Sequence, residues 1–292
     1  MMSEFPELHT LWNYSDPAGT AVRFEALLPE VAATANRAYH VELLSQIART
    51  HSLRRQFAEA HKRLDEANAM LRDEMIVPQM RCLLERGRTF NSAGEPGRAL
   101  PLFEAAFVLG AAVSPQADFH TIDAAHMIAI AELDAAERLA WNEKALALAE
   151  ATPDARAAGW RGSLYNNLGW TYHDMGEFDR ALAIFERAVA WREAVHPDQP
   201  ETIRIAKWCV GHTLRSLARF DEALAVQQAL LAEHESVGQA DGFVLEEIGE
   251  CLLALGRGEA ARPFFAQAYA ELSQLDWLER ERLARLQQLG AG

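Results

Sequence analysis

The sequence repeats one pattern of small and apolar residues about every 40 residues, and this repeat limits the fold more than any other feature. In residues 164–191 the spacing predicts two helices joined by a turn at residues 175–177. The residues that share one face of each helix are Leu168, Gly169, Tyr172, Ala181, Phe185 and Ala188. Because Gly169 has no side chain and the alanines have small ones, the two helices should approach closely and pack antiparallel.

Five further stretches repeat this pattern, and the fifth copy has Gln227 where the fourth has Phe185. The last anchor of each copy lies at residues 67, 106, 145, 188, 230 and 268, so the intervals are 39, 39, 43, 42 and 38 residues. Six helical hairpins in register predict a solenoid, not a globular bundle. The third copy is degenerate: its anchors are His126, Ala129, Leu133 and Ala145, and Arg138 and Asn142 replace the alanine and the aromatic residue. We therefore expect locally distorted packing there.

The repeated pattern resembles the tetratricopeptide (TPR) repeat family. In that family the first helix carries a Trp/Leu/Gly/Tyr set, and the second carries Ala, an aromatic residue and Ala. The match covers roughly residues 38–273, although the family's basic unit is only about 34 residues long. The extended loop at residues 196–200 is similar to that of kinesin-light-chain-type repeats. The resemblance implies an all-α fold: a right-handed α–α superhelix (TPR solenoid) of about six helical hairpins with N- and C-terminal capping helices.

The patterns at both ends predict caps on this array. We expect an N-terminal segment and capping helix in residues 1–37, the repeat array in residues 38–273 and a C-terminal capping helix in residues 274–292. Asp16 before Pro17 marks the start of the first helix, and Pro29 should kink or break it. The apolar face of the C-terminal cap consists of Trp277, Leu278, Leu283 and Leu286.

The charge balance narrows the classes of partner. Lys and Arg number 28 and Asp and Glu number 42, so the formal net charge is −14. Nucleic acids and anionic membranes both attract a basic surface, so we expect neither as a partner. The N-terminus has no basic region followed by an apolar one, and the three cysteines lie far apart without a CxxC motif. These features favour a reducing cytoplasm and indicate no disulfide framework and no zinc site.

The stripe of each first helix that points away from its packing face should line the concave groove that the resemblance implies. The candidate peptide-binding residues on this stripe are Arg49, Arg81, Arg88, Asn91, Asp123, Met127, Asn166, Asn167, Trp170, His173, Trp208, His212 and Arg215. Arginine presents a planar fork that suits a carboxylate, asparagine bonds to a peptide backbone, and tryptophan offers rigid apolar area. We therefore predict an extended protein or peptide ligand with an acidic or carboxylate end.

The direction of that ligand follows from the charges along the stripe. Arginines concentrate in the N-terminal half, so the negative end should lie there, and the acidic residues Glu246, Glu247 and Glu250 should repel it from the C-terminal half. A plainer alternative stays open, because arginines and glutamates on adjacent helices often simply pair with one another.

Catalytic chemistry has little support in the sequence. No phosphate loop, dinucleotide fingerprint or metalloprotease motif occurs. A metal is conceivable at His120, Asp123, His173 and Asp174. Cys209 could contact His212 as a nucleophile, although a small apolar filler is the commoner role of such a cysteine. We therefore expect a non-catalytic interaction protein without a cofactor. The alternative is a sensor that binds a small molecule or signal peptide and regulates a partner.

Overall fold

The structure is a computed structural model that describes residues 5–291. Over this range the chain consists of helices and short connections, without a strand. A short 3-10 helix at Leu8–Leu11 comes first. The α-helices are α1 (Pro17–Ala32), α2 (Arg37–Leu53), α3 (Phe57–Asn68), α4 (Ile76–Ser92), α5 (Pro96–Ala111), α6 (Asp118–Ala131), α7 (Ala135–Ala151), α8 (Ala155–Ala158), α9 (Arg161–Asp174), α10 (Phe178–Val195), α11 (Pro200–Ser216), α12 (Phe220–Ser236), α13 (Gly242–Ala254), α14 (Gly258–Leu272) and α15 (Arg280–Ala291).

Six helical hairpins follow one another as the repeat pattern predicts. They are α2/α3, α4/α5, α6/α7, α9/α10, α11/α12 and α13/α14, and each last anchor of the pattern is buried. The chain forms two compact units that divide between Leu164 and Tyr165, within α9. The all-α array of hairpins is thereby confirmed.

Glycines set the closeness of the two helices in a hairpin. In the second unit, a methyl group built on Gly169 would overlap the ring of Phe185, and one on Gly249 would overlap Phe265. Both phenylalanines are 1% exposed. In the fifth hairpin Gly211 faces the buried amide of Gln227 instead. The glycine on the first helix therefore accommodates the side chain at the aromatic position of the second helix.

The third hairpin differs from the others, and one predicted anchor there is wrong. Leu133 lies in the turn between α6 and α7 with 81% of its surface exposed, so it does not belong to the packed face. Helix α6 is buried on almost every side, because its many alanines let α4, α5, α7 and α8 approach it. The short helix α8 (residues 155–158) is an addition that the other hairpins lack.

The two ends match the predicted caps in part. The carboxylate of Asp16 accepts a hydrogen bond from the Gly19 amide at 2.8 Å, with Pro17 as the first helical residue. Pro29 does not break α1, which continues to Ala32. Pro29 lies in the last turn of α1, so the helix loses one backbone hydrogen bond there and ends soon afterwards.

At the C-terminal end Leu286 is fully buried, and Leu278 and Leu283 pack in the same cluster. The prediction that Trp277 belongs to this buried face is wrong. Its side chain is 70% exposed and stacks on the ring of Phe243, with the ring centroids 6.2 Å apart. The reason is its position in the irregular segment before α15, where the helical spacing assumed for the face does not apply.

Candidate functional site

In the first unit, the predicted arginines face carboxylates on neighbouring first helices. Arg49 in α2 and Arg88 in α4 both donate to Glu85 Oε1, at 3.1 Å and 2.8 Å. Arg88 also donates to Asp123 in α6. We call these four residues the charged cluster. It realises the plainer alternative from the sequence, in which arginines and acidic residues on adjacent helices pair.

Arg81 lies nearer the start of α4 and forms a separate ion pair. Its Nε lies 3.0 Å from Glu42 Oε2, and its side chain is 12% exposed. His120 in α6 is also buried, and burial lowers its pKa well below the ordinary value, with help from the positive charges of Arg81, Arg156 and Arg88. His120 is therefore neutral and adds no positive charge to that of these arginines.

Within the charged cluster the carboxylates lie deeper than the guanidinium groups. The side chains of Glu85 and Asp123 are 5% and 7% exposed, against 24% for Arg49 and 14% for Arg88. Burial alone would raise the pKa of Glu85, but the charges of Arg49 and Arg88 outweigh it and the pKa is lowered. The ionised carboxylate of Glu85 and the bonded side chain of Asp123 therefore orient the arginine forks from the buried side.

Two more predicted residues of the first unit join this cluster. Asn91 and Met127 line a cavity of about 180 Å³ together with Arg49 and Arg88. Four of the six candidate residues in this unit thus border one small opening, whereas Arg81 and Asp123 are absent from its lining.

In the second unit, four predicted residues form an aromatic cluster. Trp208 and His212 in α11 stack with ring centroids 5.0 Å apart, and Trp170 in α9 lies 5.5 Å from His212. His173 lies 5.1 Å from His212, and its Nε2 is 2.9 Å from the hydroxyl of Ser216. All four rings are half-buried, so the cluster is packed on one side and open to solvent on the other. Apolar surface of this kind suits the side chains of a ligand.

The predicted residue Arg215 pairs with a buried carboxylate at the edge of this cluster. Arg215 donates through Nε and Nη2 to the two oxygens of Glu247, at 2.7 Å and 2.9 Å, and His212 Nδ1 lies 2.9 Å from Glu247 Oε1. Burial would raise the pKa of Glu247, but these hydrogen bonds and charges lower it to about 2. Glu247 is therefore ionised and orients Arg215 and His212.

The acidic residues expected to repel a ligand are engaged with arginines. Arg282 in α15 donates to both oxygens of Glu246, and Arg285 donates to both oxygens of Glu250. Glu247 is paired as described above. The acidic set is thus paired within the protein, and the direction of a ligand stays a prediction.

Asn166 and Asn167 lie half-buried on α9, one turn before Trp170. The amide nitrogen of Asn166 is 3.5 Å from the amide oxygen of Asn167, at the long limit for a hydrogen bond. In the sequence, both amides therefore come shortly before the first tryptophan of the aromatic cluster.

The catalytic alternatives gain no support from the geometry. Burial raises the pKa of Cys209 to about 12, so its sulfur stays protonated and is a poor nucleophile. Asp123, one of the four residues considered as metal ligands, accepts a hydrogen bond from Arg88. Among residues 5–291, no group of three or more His, Cys, Asp or Glu side chains is placed to hold a metal ion.

No helix in the described part of the chain is both long enough and apolar enough to cross a membrane.

The sequence stripe missed two residues of the second unit that line a larger cavity. Arg204 in α11 and His234 in the last turn of α12 border a space of about 650 Å³. The outward-facing stripe includes Ile205, the residue next to Arg204, and therefore leaves Arg204 out. The position of Arg204 could have indicated it, because it lies one turn before Trp208 and on the same side of α11 as the packing glycine Gly211.

Comparison with known proteins identifies the repeat. Residues 161–201, which span the fourth hairpin, match the family described as tetratricopeptide repeat. No curated protein matches the chain.

Solved structures share the fold at low sequence identity. RapI in its apo form superposes with a TM-score of 0.75 at 12% identity, covering 97% of this chain and 79% of that one. BtubC (BKLC) from P. vanneervenii gives a TM-score of 0.62 at 18% identity, covering 81% and 94%. The putative kinesin light chain TPR-like repeats of Podosopora anserina give 0.55 at 16% identity, covering 71% and 100%. The array thus shares the fold of tetratricopeptide-type solenoids, which include kinesin-light-chain-like repeats.

Proposed function

We propose that this tetratricopeptide-repeat protein is a non-catalytic protein that binds an extended segment of a partner along the exposed faces of its first helices. The fold supports a role in protein–protein interaction. The finer part of the proposal is that the segment combines apolar side chains with an acidic or carboxylate group. Neither a nucleic acid nor a membrane is proposed, since the net charge is −14.

The half-buried aromatic cluster is the observation that carries the proposal. Trp208 stacks on His212 and Trp170 packs against the same ring at a tilt, so both tryptophans lose little further freedom when a ligand covers them. Ile205, one turn before Trp208 on the outward face of α11, is 59% exposed and extends this apolar surface. Large rigid rings beside an exposed aliphatic side chain are typical of the anchor points of protein interfaces.

The charged cluster supports the acidic part of the proposal. Its arginines are more exposed than the carboxylates that pair with them, so an incoming carboxylate meets guanidinium groups first. Arg49 and Arg88 are already oriented by Glu85, and this reduces the entropy that a ligand would lose in ordering them. Exposed charge pairs are screened by salt, so binding at this cluster should weaken as the ionic strength rises.

A peptide library displayed on phage and selected on the purified protein tests the proposal. The selected peptides should combine apolar residues with Asp, Glu or a free carboxyl end, and they should bind less tightly in high salt. Trp170→Ala with Trp208→Ala should weaken a selected peptide at least tenfold in fluorescence anisotropy. Trp141→Ala, on the second helix α7, is the matched control and should not weaken it.

The acidic part has its own variant. Arg49→Gln should weaken an acidic peptide more than its amide analogue, and Glu85 keeps Arg88 as a partner in this variant. Peptides that bind the double tryptophan variant as tightly as the native protein would contradict the proposed surface. Peptides without acidic groups would contradict only the charge preference.

A second candidate function is favoured by the cavity beside Arg204. Its volume of about 650 Å³ lies in the range typical of sites for small molecules, about 300–1,000 Å³. A regulatory protein that senses a small ligand would need such a site. A rise in melting temperature on addition of a small molecule, without any bound peptide, would favour this candidate.

A further inference from the structure

The cavity beside Arg204 lies entirely within the second unit. Helix α11 forms one wall, and the end of α12, residues 239–241 and the start of α13 form the others. The apolar part of the lining comes from Ile205, Trp208, Phe243 and Val244. We call this space the Arg204 cavity. Its walls are mostly apolar, so its polar groups determine which ligand it suits.

Arg204 is a buried cation without a carboxylate partner. The residue is 9% exposed, and its Nη2 donates to the amide oxygen of Gln239 at 3.3 Å. Its Nε has no hydrogen-bond partner, and no acidic residue in the described part of the chain forms an ion pair with it. Burying a guanidinium group without a counter-charge is costly, so a protein rarely retains one without a use.

Two more polar atoms in the same cavity lack partners within residues 5–291. The indole Nε1 of Trp208 is buried and donates to nothing, and Nδ1 of His234 is buried and unpaired. The other ring nitrogen of His234 lies 3.6 Å from Asp241, beyond hydrogen-bond range. Buried polar atoms nearly always have partners, so three unpaired ones on residues that line one cavity are exceptional.

The kind of acceptor follows from charge and shape. A neutral carbonyl group would accept from the indole but would leave the charge of Arg204 uncompensated. A doubly charged phosphate would be repelled by Glu201 and Asp241, which line the same cavity, more strongly than a singly charged carboxylate. A carboxylate carries one negative charge and two acceptor oxygens, which matches the one guanidinium group. The apolar lining requires an apolar body next to it.

We infer that the Arg204 cavity is a binding site for an organic carboxylate with an apolar body. The carboxylate accepts from the Arg204 guanidinium group, and the apolar part packs on Ile205 and Phe243. Either a free carboxylic acid or the C-terminal residue of a peptide supplies this chemistry. The site does not depend on the charged cluster of the first unit, because Arg204 is the only cation it needs.

Isothermal titration calorimetry with matched pairs of ligands tests the inference on the native protein. Octanoate against octanamide represents a free acid, and acetyl-Gly-Gly-Leu against its C-terminal amide represents a peptide end. We expect at least one carboxylate to bind and its amide to bind at least tenfold more weakly. Binding should also shift the indole N–H resonance of Trp208, because the ligand packs beside that ring.

Variants separate this site from general charge effects. Arg204→Gln should lower the affinity for the carboxylate at least tenfold. The matched control is Arg219→Gln, which removes an exposed arginine that pairs with Glu222 on the surface of the same unit, and it should bind like the native protein. Because the acid and amide pairs are compared on the native chain, the test holds even if Arg204→Gln folds poorly.

Three results would overturn the inference: neither carboxylate binds at millimolar concentration, the amides bind as tightly as the acids, or folded Arg204→Gln binds as tightly as the native protein. Loss of carboxylate binding in Arg204→Gln with unchanged binding of phage-selected peptides would uphold the inference and show that the peptides do not need Arg204. Loss of both would place the peptide's carboxyl end in the cavity, and this too supports the inference.

Discussion

Arg88 in the first unit and Arg204 in the second are both first-helix arginines that are largely withdrawn from solvent, yet their surroundings are opposite. Arg88 bonds to the buried carboxylates of Glu85 and Asp123, whereas Arg204 has only the amide of Gln239. An arginine that neutralises buried carboxylates maintains the structure, because its removal strands their charge. An arginine without such partners does not, and it is free to meet a ligand. Burial alone therefore cannot distinguish a structural arginine from a binding one.

The ion pairs that join neighbouring first helices share a spacing. Their two partners lie 32 to 39 residues apart, about one repeat along the chain, as in Arg49–Glu85 and Arg215–Glu247. Gln239 follows Arg204 by 35 residues, but it lies in the connection between α12 and α13 and not on a first helix. Arg204 therefore has an uncharged amide from a loop as its partner, where the paired arginines have a carboxylate from a neighbouring first helix.

The largest expected effect is in the first region. Arg88→Met leaves Asp123 without its bonded cation and Glu85 with one arginine fewer, so the free energy of unfolding should fall by about 3–5 kcal/mol. Urea denaturation followed by circular dichroism measures this. Arg98→Met, which removes an exposed arginine paired with Glu95, is the matched control and should change the stability by less than about 1 kcal/mol. An equal loss of unfolding free energy in both variants would show that Arg88 stabilises the fold no more than an exposed arginine does.

The second prediction asks whether pairing, and not the region, makes the difference. Glu247 in the second unit is paired like Glu85, and its pKa is lowered from 4.5 to about 2. A depressed pKa stabilises the fold above the unfolded value and loses that effect as the pH falls towards the folded value. Roughly 3 kcal/mol should therefore disappear between about pH 4.5 and pH 2. Denaturation curves at pH 5, 4 and 3 should show a shallower decline in Glu247→Gln, and identical slopes would refute the pairing argument.

The third prediction concerns an unpaired buried group that has no cavity. Gln227 faces Gly211, its Oε1 is buried without a partner within residues 5–291, and its Nε2 donates to the Trp208 carbonyl at 3.3 Å. Gln227→Met should raise the free energy of unfolding by about 1–2 kcal/mol, since it removes an unsatisfied polar atom. Phe185→Gln, the reverse change at the equivalent place, should lower it. A destabilised Gln227→Met would show that the amide is needed for the fold.

The smallest effect is expected at Arg204 itself. Arg204→Met removes a buried charge that no carboxylate balances, so the free energy of unfolding should stay within about 1 kcal/mol of the native value or rise. The same denaturation assay used for Arg88→Met provides the direct contrast. A loss as large as that of Arg88→Met would show that Arg204 is structural, and the comparison would fail.

Most of the fold could be predicted from the sequence because the packing within a repeat is local. Gly169 opposite Phe185 predicts a close helical pair, and the same pairing recurs at Gly249 and Phe265. The errors at Leu133 and Trp277 arose where helical spacing was carried into irregular connections. A periodic pattern alone does not show at which residue a helix ends and an irregular connection begins.

The candidate site was less predictable, for a different reason. The stripe identified Trp208 and His212, because outward position on a helix follows from spacing. It did not show that Arg88 is engaged with Glu85 and Asp123, although Glu85 lies one turn before Arg88 and Asp123 lies about one repeat after it. The Arg204 cavity depends on how residues 239–241 pass between α12 and α13, and a loop path is a tertiary property.

The one-repeat spacing of the ion pairs also bears on how each unit comes apart. In the second unit Arg282 and Arg285 of α15 bind Glu246 and Glu250 of α13, so fraying of the last helix leaves charges unbalanced on the hairpin before it. Opening one element then raises the energy of its neighbour, and unfolding becomes more cooperative than hydrophobic contacts between neighbours alone would make it. Amide hydrogen exchange should accordingly proceed in blocks larger than one hairpin, with protection in α13 and α15 lost together.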